Sequence, residues 1–281
     1  MSEAGEASPH LDRREQRQAA NAAPMGPLVI HEIVREQGEE ELDRSFSGLA
    51  WSGVAAGASI GFSFVVQASL QAALPEASWT RLVSSFGYCI GFLIVILGRQ
   101  QLFTETTLTA LIPALTRRDL DTGLRTLRVW IIVLGANLAA TWVFAGIAAQ
   151  PGVFPAATVQ AMDVLSARTM EGSFGHVALT AGAAGWLIGL MVWLLPVAGP
   201  SRPVIIILLT YVVAACQFPH VVAGSVEAAY GVFTGHATIG DYVIRFLAPT
   251  LLGNSMGGTI LAALLNHAPI AGELKAAEPG P

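Results

Sequence analysis

The residue best placed to do chemistry in this chain is a histidine inside an apolar run. His220 follows Pro219, and apolar sequence lies on both sides, over residues 204–215 and 221–226. An imidazole changes charge near neutral pH, and an ionisable side chain is costly in lipid. His220 is therefore a candidate for donating a proton or a hydrogen bond within a membrane. The alternative without a functional role is a neutral histidine that bonds to a backbone carbonyl and contributes only to packing.

Two further polar residues could act together with this histidine. Thr104 follows an interruption in another apolar run, and Asn254 lies in the glycine-flanked segment Gly253-Asn254-Ser255-Met256-Gly257-Gly258. Thr104 offers a hydroxyl, although a lone threonine in a membrane helix usually caps backbone. The Asn254 amide could bond to His220 or to an interruption in a helix. An equal alternative is a hydrogen bond between helices with no further role.

Two charged residues flank the interruption that precedes Thr104. Arg99 and Glu105 are six residues apart, and either charge alone would be costly in lipid. We therefore expect either a mutual ion pair or exposure of both side chains to a cytoplasmic vestibule. In such a vestibule Arg99 could also attract anions.

The sequence shows no sign of a metal site, a cofactor or an enzyme. It has no phosphate-binding glycine loop, no nucleophile elbow and no CxxC pattern. The histidines apart from His220 show no metal-ligand spacing; they are His10, His31, His176, His236 and His267. No nucleic-acid partner is expected either.

Membrane-spanning helices are the elements that must position these residues. Of the 281 residues, 53% are hydrophobic and 12% are charged, where a soluble domain carries about a quarter charged residues. Four stretches without Asp, Glu, Lys or Arg exceed the roughly 20 residues that cross a bilayer; they are residues 45–74, 129–162, 172–201 and 246–272. Residues 82–98 and 203–226 complete six spans. The sequence predicts an all-α integral membrane protein surrounded by lipid.

Two of the six spans are predicted to break within the membrane. Arg99-Gln100-Gln101 interrupts the second span and Gln217-Phe218-Pro219-His220 interrupts the fifth, where the proline disfavours helix. In each half, continuous spans flank the broken one. Because three spans form an odd number, the second half enters the membrane in the opposite sense, which predicts an inverted three-plus-three repeat with both breaks near the midplane. Such backbone is tolerated only in protein or along a cavity, which favours a pore.

The distribution of arginine predicts the orientation. Arginines concentrate before the first span and between the second and third, which places both termini in the cytoplasm. The start of the chain lacks the features of a cleaved signal peptide. The predicted domains are a cytoplasmic tail with an amphipathic helix over residues 1–44, a transmembrane channel domain over 45–268 and a cytoplasmic tail over 269–281.

Three motifs together resemble the formate/nitrite transporter family. They are Leu102-Phe103-Thr104 in the second span, Phe218-Pro219-His220 in the fifth and the Asn254 segment in the sixth, and the resemblance covers about residues 46–265. It implies an aquaporin-like fold in each protomer and a homopentamer with one pore per subunit in a bacterial inner membrane. The implied substrates are formate, nitrite, hydrosulfide or similar small anions.

The resemblance also implies roles for individual residues. His220 matches the central pore histidine, with Thr104 and Asn254 as its hydrogen-bonding neighbours. Leu102 and Phe103 match a mobile pore loop. The implied apolar constrictions are formed by that loop together with Tyr88, Phe92 and Val213.

Four positions depart from the usual pattern of the family. Arg99-Gln100-Gln101 replaces a small-small-acidic run, and Pro219 replaces an acidic residue before the histidine. Ser173 stands where family members often have a lysine, and Gly189 where they have an asparagine. The chain therefore resembles a divergent branch of the family, whose substrate need not be formate or nitrite.

The leading hypothesis is a channel or transporter for small monovalent weak-acid anions. His220 would neutralise the anion by donating a proton or a hydrogen bond, because a charge is costly in an apolar pore. The alternative is an aquaporin-like channel for small neutral solutes, in which His220 and Asn254 provide hydrogen-bonding steps and Arg99 repels cations. A third possibility is a membrane scaffold or sensor that acts through residues 1–44.

Overall fold

The computed structural model describes residues 12–23 and 25–264, and every regular element in these ranges is helical. The predicted C-terminal tail over residues 269–281 lies outside the described residues, as do His10 and His267.

Two helices precede the first apolar span, α1 (Arg13–Ala22) and α2 (Pro27–Asp43). Pro27 begins α2, where its missing N–H would have had no partner in the helix. The helix buries one stripe at a spacing of three or four residues, formed by His31, Val34, Gly38 and Leu42. This buried stripe of α2 packs against protein.

The first half of the chain is built around three long apolar helices. They are α3 (Phe46–Ala73), α4 (Thr80–Leu97) and, further along the chain, α7 (Leu120–Ala148). Ser45 caps α3 by accepting a hydrogen bond from the Gly48 N–H, and Asp119 caps α7 in the same way through Thr122. Between α4 and α7 lie two short helices, α5 (Phe103–Thr109) and α6 (Leu111–Arg117). Residues 98–102, between α4 and α5, are not helical.

The second half has a comparable order of elements. The helices are α8 (Ala156–Thr169), α9 (Phe174–Ala198), α10 (Arg202–Ala215) and α11 (Ala223–Phe233). After a short α12 (Ile239–Asp241), the last helical run is continuous and contains α13 (Ala248–Met256) between two π-helical segments, Tyr242–Leu247 and Gly257–Leu264. Residues 216–222, between α10 and α11, are not helical.

The charge-free stretch over residues 129–162 does not form one helix. α7 begins at Leu120 and ends at Ala148, and Pro151 and Pro155 separate it from α8. The start is earlier than the charge pattern suggests because Arg128 donates hydrogen bonds to the Leu42 and Arg44 carbonyls at the end of α2. Charge alone therefore marks this span poorly at both ends.

Glycines allow the helices to approach closely. A Cβ added to Gly57 of α3 would collide with the Asn137 backbone oxygen on α7, and one added to Gly91 of α4 would collide with Ser63 of α3. In the second half, a Cβ at Gly185 of α9 would collide with the Asn254 backbone oxygen on α13. The small residues at four-residue spacing thus pack helix against helix, as they do in membrane bundles.

Among the described residues, four segments are long and apolar enough to cross a membrane by length and composition; they are Phe46–Ala73, Thr80–Leu97, Leu120–Ala148 and Phe174–Ala215. The fourth has 42 residues, about twice the length that a crossing needs. Gly199, with φ of 49°, divides it into α9 and α10, which pack against each other.

Candidate functional site

The histidine after one helix interruption contacts the threonine after the other. Thr104 Oγ1 lies 2.7 Å from His220 Nε2, and both side chains are buried. The His220 Nδ1 atom accepts a hydrogen bond of 3.1 Å from the Ala223 backbone N–H. A nitrogen that accepts a hydrogen bond carries no proton, so the ring is neutral and its proton is on Nε2. His220 therefore donates to the Thr104 oxygen, and the Thr104 hydroxyl hydrogen can be donated elsewhere.

The two helix interruptions have the same backbone construction. Arg99 after α4 has a φ of 51°, and Gln217 after α10 has a φ of 56°. The residue after each donates its backbone N–H back to a helix carbonyl, Gln100 to Val95 and Phe218 to Val213, in both cases at 2.9 Å. This pattern is the Schellman ending of a helix, which usually has glycine at the left-handed position. The chain then runs without helix until α5 or α11 begins.

An asparagine from α7 holds the first interruption in place. The Asn137 side-chain oxygen accepts a 2.9 Å hydrogen bond from the Phe103 N–H. Its amide nitrogen donates to the carbonyls of Gln101, at 3.0 Å, and of Gly53 on α3, at 2.8 Å. Asn137 is fully buried, so these three bonds satisfy backbone groups that water cannot reach.

Asn254 of α13 does the same at the second interruption. Its side-chain oxygen accepts from the Val221 N–H at 2.7 Å, and its nitrogen donates to the carbonyls of Pro219, at 2.9 Å, and Ala181 on α9, at 2.8 Å. Of the two partners expected for Asn254, the chain interruption is the one it bonds. Asn137 was not among the residues selected from the sequence. The sequence did contain a signal for Asn137, which is the single asparagine of the third, charge-free span. Asn254 lies in the corresponding span of the second half.

The aromatic residues predicted for a constriction lie beside His220. The Phe92 ring is 5.0 Å from the imidazole in an edge-on arrangement, and the Tyr88 ring is 5.2 Å from Phe92. Val213 is fully buried and lines the same cavity as Tyr88. These three residues thus form an apolar surface on one side of His220.

The two remaining residues of the predicted constriction are buried. Leu102 is 0% exposed and Phe103 is 3% exposed. The Phe103 ring lies 6.5 Å from Trp130 of α7, and the Phe103 N–H is bonded to Asn137. Both residues are therefore held at the start of α5 next to Thr104.

A cavity of about 220 Å³ lies beside His220, and we call it the His220 cavity. Besides His220, its titratable lining residues are Tyr88, Arg168, Glu171, His176 and Glu227. Glu227 was not selected from the sequence, although it is a lone carboxyl that directly follows the fifth span, predicted to end at residue 226, and has apolar residues on both sides.

A second cavity of about 650 Å³, which we call the α2 cavity, lies beside α2. Arg99 and Glu105 both line it, and no ion pair found among the described residues joins them. The other charged side chains that line it are Glu40, Glu41, Arg44 and Arg202. Of the two arrangements expected for Arg99 and Glu105, a shared open space is the one observed.

Glu41 links α2 to α5 at this second cavity and was also missed in the sequence. Its carboxylate accepts hydrogen bonds from Thr109 Oγ1 at 2.6 Å and from Gln101 Nε2 at 3.4 Å. Burial raises the pKa of Glu41 to about 7, while these hydrogen bonds oppose the shift.

Known proteins are similar to this chain in sequence and in fold. A family profile described as formate/nitrite transporter matches residues 28–268. The inner membrane protein YfdC of Escherichia coli (strain K12) is 37% identical over 251 residues, which cover 89% of this chain and 81% of that protein. The formate channel FocA of Haemophilus influenzae (strain ATCC 51907 / DSM 11121 / KW20 / Rd) is 27% identical and covers 74% of this chain and 82% of its own length.

Two solved structures have the same fold at low identity. A pentameric formate channel with formate bound has a TM-score of 0.65 and 17% identity, and it covers 84% of this chain and 99% of its own. An FNT family ion channel has a TM-score of 0.65 and 19% identity, with coverage of 89% and 96%. With the match over most of the chain, these findings make it an all-helical membrane protein that belongs to the formate/nitrite transporter family.

Proposed function

We propose that this protein is a channel for small monovalent weak-acid anions, such as formate or nitrite, in the bacterial inner membrane. The observation that carries the proposal is the buried contact of 2.7 Å between His220 and Thr104, where two interrupted helices meet. Relatives named as a formate channel and as an inner membrane protein support it. A channel for neutral solutes is the less favoured hypothesis, because the family is one of formate and nitrite transporters.

The architecture that we propose is an inverted three-plus-three repeat with six crossings. The matching Schellman endings at Arg99 and Gln217 support it, as do the matching bonds of Asn137 and Asn254. In each half, the third long helix ties the interrupted helix to the first. An internal duplication explains this agreement more simply than two independent origins.

We propose that the protein assembles as a homopentamer with one pore in each subunit. The pentameric formate channel of the same fold supports this assembly. Large apolar side chains on the outside of the protomer, such as Trp51 at 74% exposed and Leu179 at 78%, would then contact lipid or a neighbouring subunit. We propose that both termini and the α2 cavity face the cytoplasm, which the concentration of arginines near α2 and α6 supports.

The proposed mechanism uses hydrogen bonds aimed at the anion. His220 donates from Nε2 to Thr104, which leaves the Thr104 hydroxyl hydrogen to be donated to the substrate. An anion loses several kcal/mol of hydration on entering a low-dielectric pore, and a preorganised donor offsets part of this cost. Arg99 in the α2 cavity would raise the local concentration of anions at the inner mouth.

The other predicted pore residues act on the shape of the path. Tyr88, Phe92 and Val213 would form the apolar constriction on the side of the His220 cavity, and Leu102 and Phe103 the one on the other side. Asn254 would contribute indirectly, because it holds the backbone on both sides of His220. A narrow apolar constriction formed by these side chains would exclude larger and more strongly hydrated ions.

Anion flux into liposomes tests the proposal. Purified protein is compared with protein-free liposomes for formate, nitrite, nitrate, chloride and hydrosulfide, and then as Thr104→Val. A hydrogen bond to a charged group contributes about 1.5–3 kcal/mol, so the variant should lose about tenfold or more of its formate or nitrite flux. Thr180→Val is the matched control, because Thr180 lines the His220 cavity but bonds the His176 carbonyl of its own helix.

Two results would overturn the proposal. One is wild-type protein that passes water or glycerol but none of the anions, which would indicate a neutral-solute channel. The other is a folded Thr104→Val variant with the anion flux of the wild type.

A further inference from the structure

Glu227 is a carboxyl in the His220 cavity that the proposed mechanism does not use. It lies on α11, is partly buried and lines the cavity together with His220. One carboxylate oxygen accepts a hydrogen bond from the hydroxyl of Thr169, on α8. None of the ion pairs among the described residues involves Glu227. An ionisable side chain that lines a cavity of a membrane protein and has no ion-pair partner is a candidate functional group.

The elements packed against α11 bring few charges to Glu227. α3 has none, and neither has the part of α7 from residue 129 to its end. On α8, Asp163 lies 3.5 Å from His236, whereas Arg168 lines the cavity. The other titratable groups on neighbouring elements are Tyr230 on α11, Tyr242 and Arg245 on the first π-helical segment, Glu171 after α8, and Tyr88 and His176 across the cavity. Arg245 has its own partner, Asp241, at 3.8 Å.

An ionised Glu227 would work against the proposed function. A carboxylate that faces the cavity repels an incoming anion, and no paired cation cancels that repulsion. A protonated Glu227 has no such effect and still accepts the bond from Thr169 through its carbonyl oxygen. Anions would therefore enter the His220 cavity most readily while Glu227 carries a proton.

His220 is a poor source of that proton in the observed geometry. Its Nδ1 atom accepts the Ala223 N–H, and protonating Nδ1 would break that bond and set two donors against each other. The neutral ring has one proton, which it donates in the bond to Thr104. A separate acid is needed if the anion is to be neutralised by proton transfer. A carboxyl group matches a weak-acid substrate in acidity, which favours exchange between them.

We propose that Glu227 is the proton donor of this channel. The proposal rests on the proposed function and deepens it. In each transfer the O–H bond of the Glu227 carboxyl breaks, an O–H bond forms on the weak-acid anion, and the neutral acid moves on to Thr104 and His220. A hydronium ion that reaches the His220 cavity from the outside solution then returns a proton to the Glu227 carboxylate and leaves as water. Anion and proton thus cross together.

Glu227→Gln tests this inference, because the amide oxygen still accepts the bond from Thr169 but the side chain cannot release a proton. Formate or nitrite uptake is measured in liposomes together with internal acidification, at about pH 6 and about pH 8 outside. In the wild type, acidification should follow uptake about one for one, and uptake should fall at the higher pH. In the variant, acidifying uptake should fall about tenfold or more, and the remaining flux should lose its dependence on external pH.

Two further variants sharpen the comparison. Glu171→Gln removes an exposed carboxyl from the same cavity and should keep the pH profile of the wild type. Glu227→Asp retains a titratable carboxyl, so its anion uptake should be slower than that of the wild type but still depend on pH. This variant also tests the inference if Glu227→Gln fails to elute as a folded oligomer.

The outcomes separate the inference from the proposed function. Wild-type anion flux with an unchanged rate and pH profile in Glu227→Gln overturns the inference and leaves the proposed function in place. Equal effects of Glu171→Gln and Glu227→Gln also overturn it, because they indicate only the overall charge of the cavity. Wild-type protein without anion flux overturns both.

Discussion

At the scale of single residues, Arg99 has a conformation that its type disfavours. Its φ of 51° lies in the left-handed region, at a helix ending where glycine is usual. For a residue with a Cβ this conformation costs about 1–2 kcal/mol. Gln217, its counterpart, accepts a 2.7 Å hydrogen bond from Arg81, whereas Arg99 is exposed in the α2 cavity. Retention of a strained arginine there is consistent with a role for its charge.

Two substitutions separate the strain from the charge. Arg99→Gly should stabilise the protein by about 1 kcal/mol, because the backbone strain is removed, and Arg99→Gln should not. Both should lower anion flux from the inner side at low ionic strength, and the difference from wild type should shrink when salt screens the charge. Thermal unfolding in detergent and flux at two salt concentrations are the measurements. Unchanged flux in both variants would remove Arg99 from the anion path.

At the scale of elements, one partly buried carboxyl contributes to the docking of α2 on α5. Gly38 of α2 lies so close to the Thr109 carbonyl of α5 that a Cβ would collide with it. One turn further on, Glu41 accepts the Thr109 hydroxyl bond, and burial raises its pKa to about 7. A group whose pKa is raised on folding stabilises the folded form fully below its ordinary pKa near 4.5 and loses that contribution as pH rises through about 7.

We therefore expect α2 to be held more tightly at about pH 6 than at about pH 8.5. Limited proteolysis between α2 and α3 measures this, with Glu41→Gln as the variant. That variant should lose the difference between the two pH values, whereas Glu36→Gln, which removes an exposed carboxyl on the same helix, should keep the difference of the wild type. A pH effect that is as large in Glu41→Gln as in wild type would exclude Glu41 as its cause.

At the scale of the whole molecule, close backbone contact at a glycine holds together two helices that position His220. Gly185 of α9 lies against the Asn254 backbone of α13, and Asn254 in turn fixes the chain on both sides of His220. A backbone atom cannot turn aside as a flexible side chain can, so a methyl group at Gly185 must separate two helices.

Gly185→Ala should therefore destabilise the protein by several kcal/mol or prevent folding. Gly135→Ala is the matched control, because Gly135 lies inside α7 with open space where its Cβ would be. It should be neutral or stabilising by up to about 1 kcal/mol, since alanine favours helix over glycine. Size-exclusion profiles and thermal unfolding in detergent measure both variants. A normally folded Gly185→Ala protein would contradict the close packing.

The elements could be predicted to different degrees. The first two spans agree with α3 and α4 to within about two residues, because a charge-free run bounded by polar residues is a local signal. The third span was placed wrongly at both ends, because bonds from Arg128 to α2 accommodate charge at its start and prolines end it within an apolar run. α8 was missed because it begins inside the same charge-free run, after the prolines that separate it from α7.

The sequence by itself determined the class of protein, the number of apolar runs and the selection of His220 and Thr104. These follow from hydrophobic length, from charge segregation and from motifs, which are properties of neighbouring residues. Only the tertiary structure decided that these two side chains, 116 residues apart, lie 2.7 Å from each other, and that His220 is neutral with its proton on Nε2. It also decided which groups Asn137, Glu41 and Glu227 contact. Whether a lone polar residue in an apolar helix bonds backbone, faces a cavity or meets another polar group depends on which helix packs beside it, and neighbouring residues in the chain do not encode that.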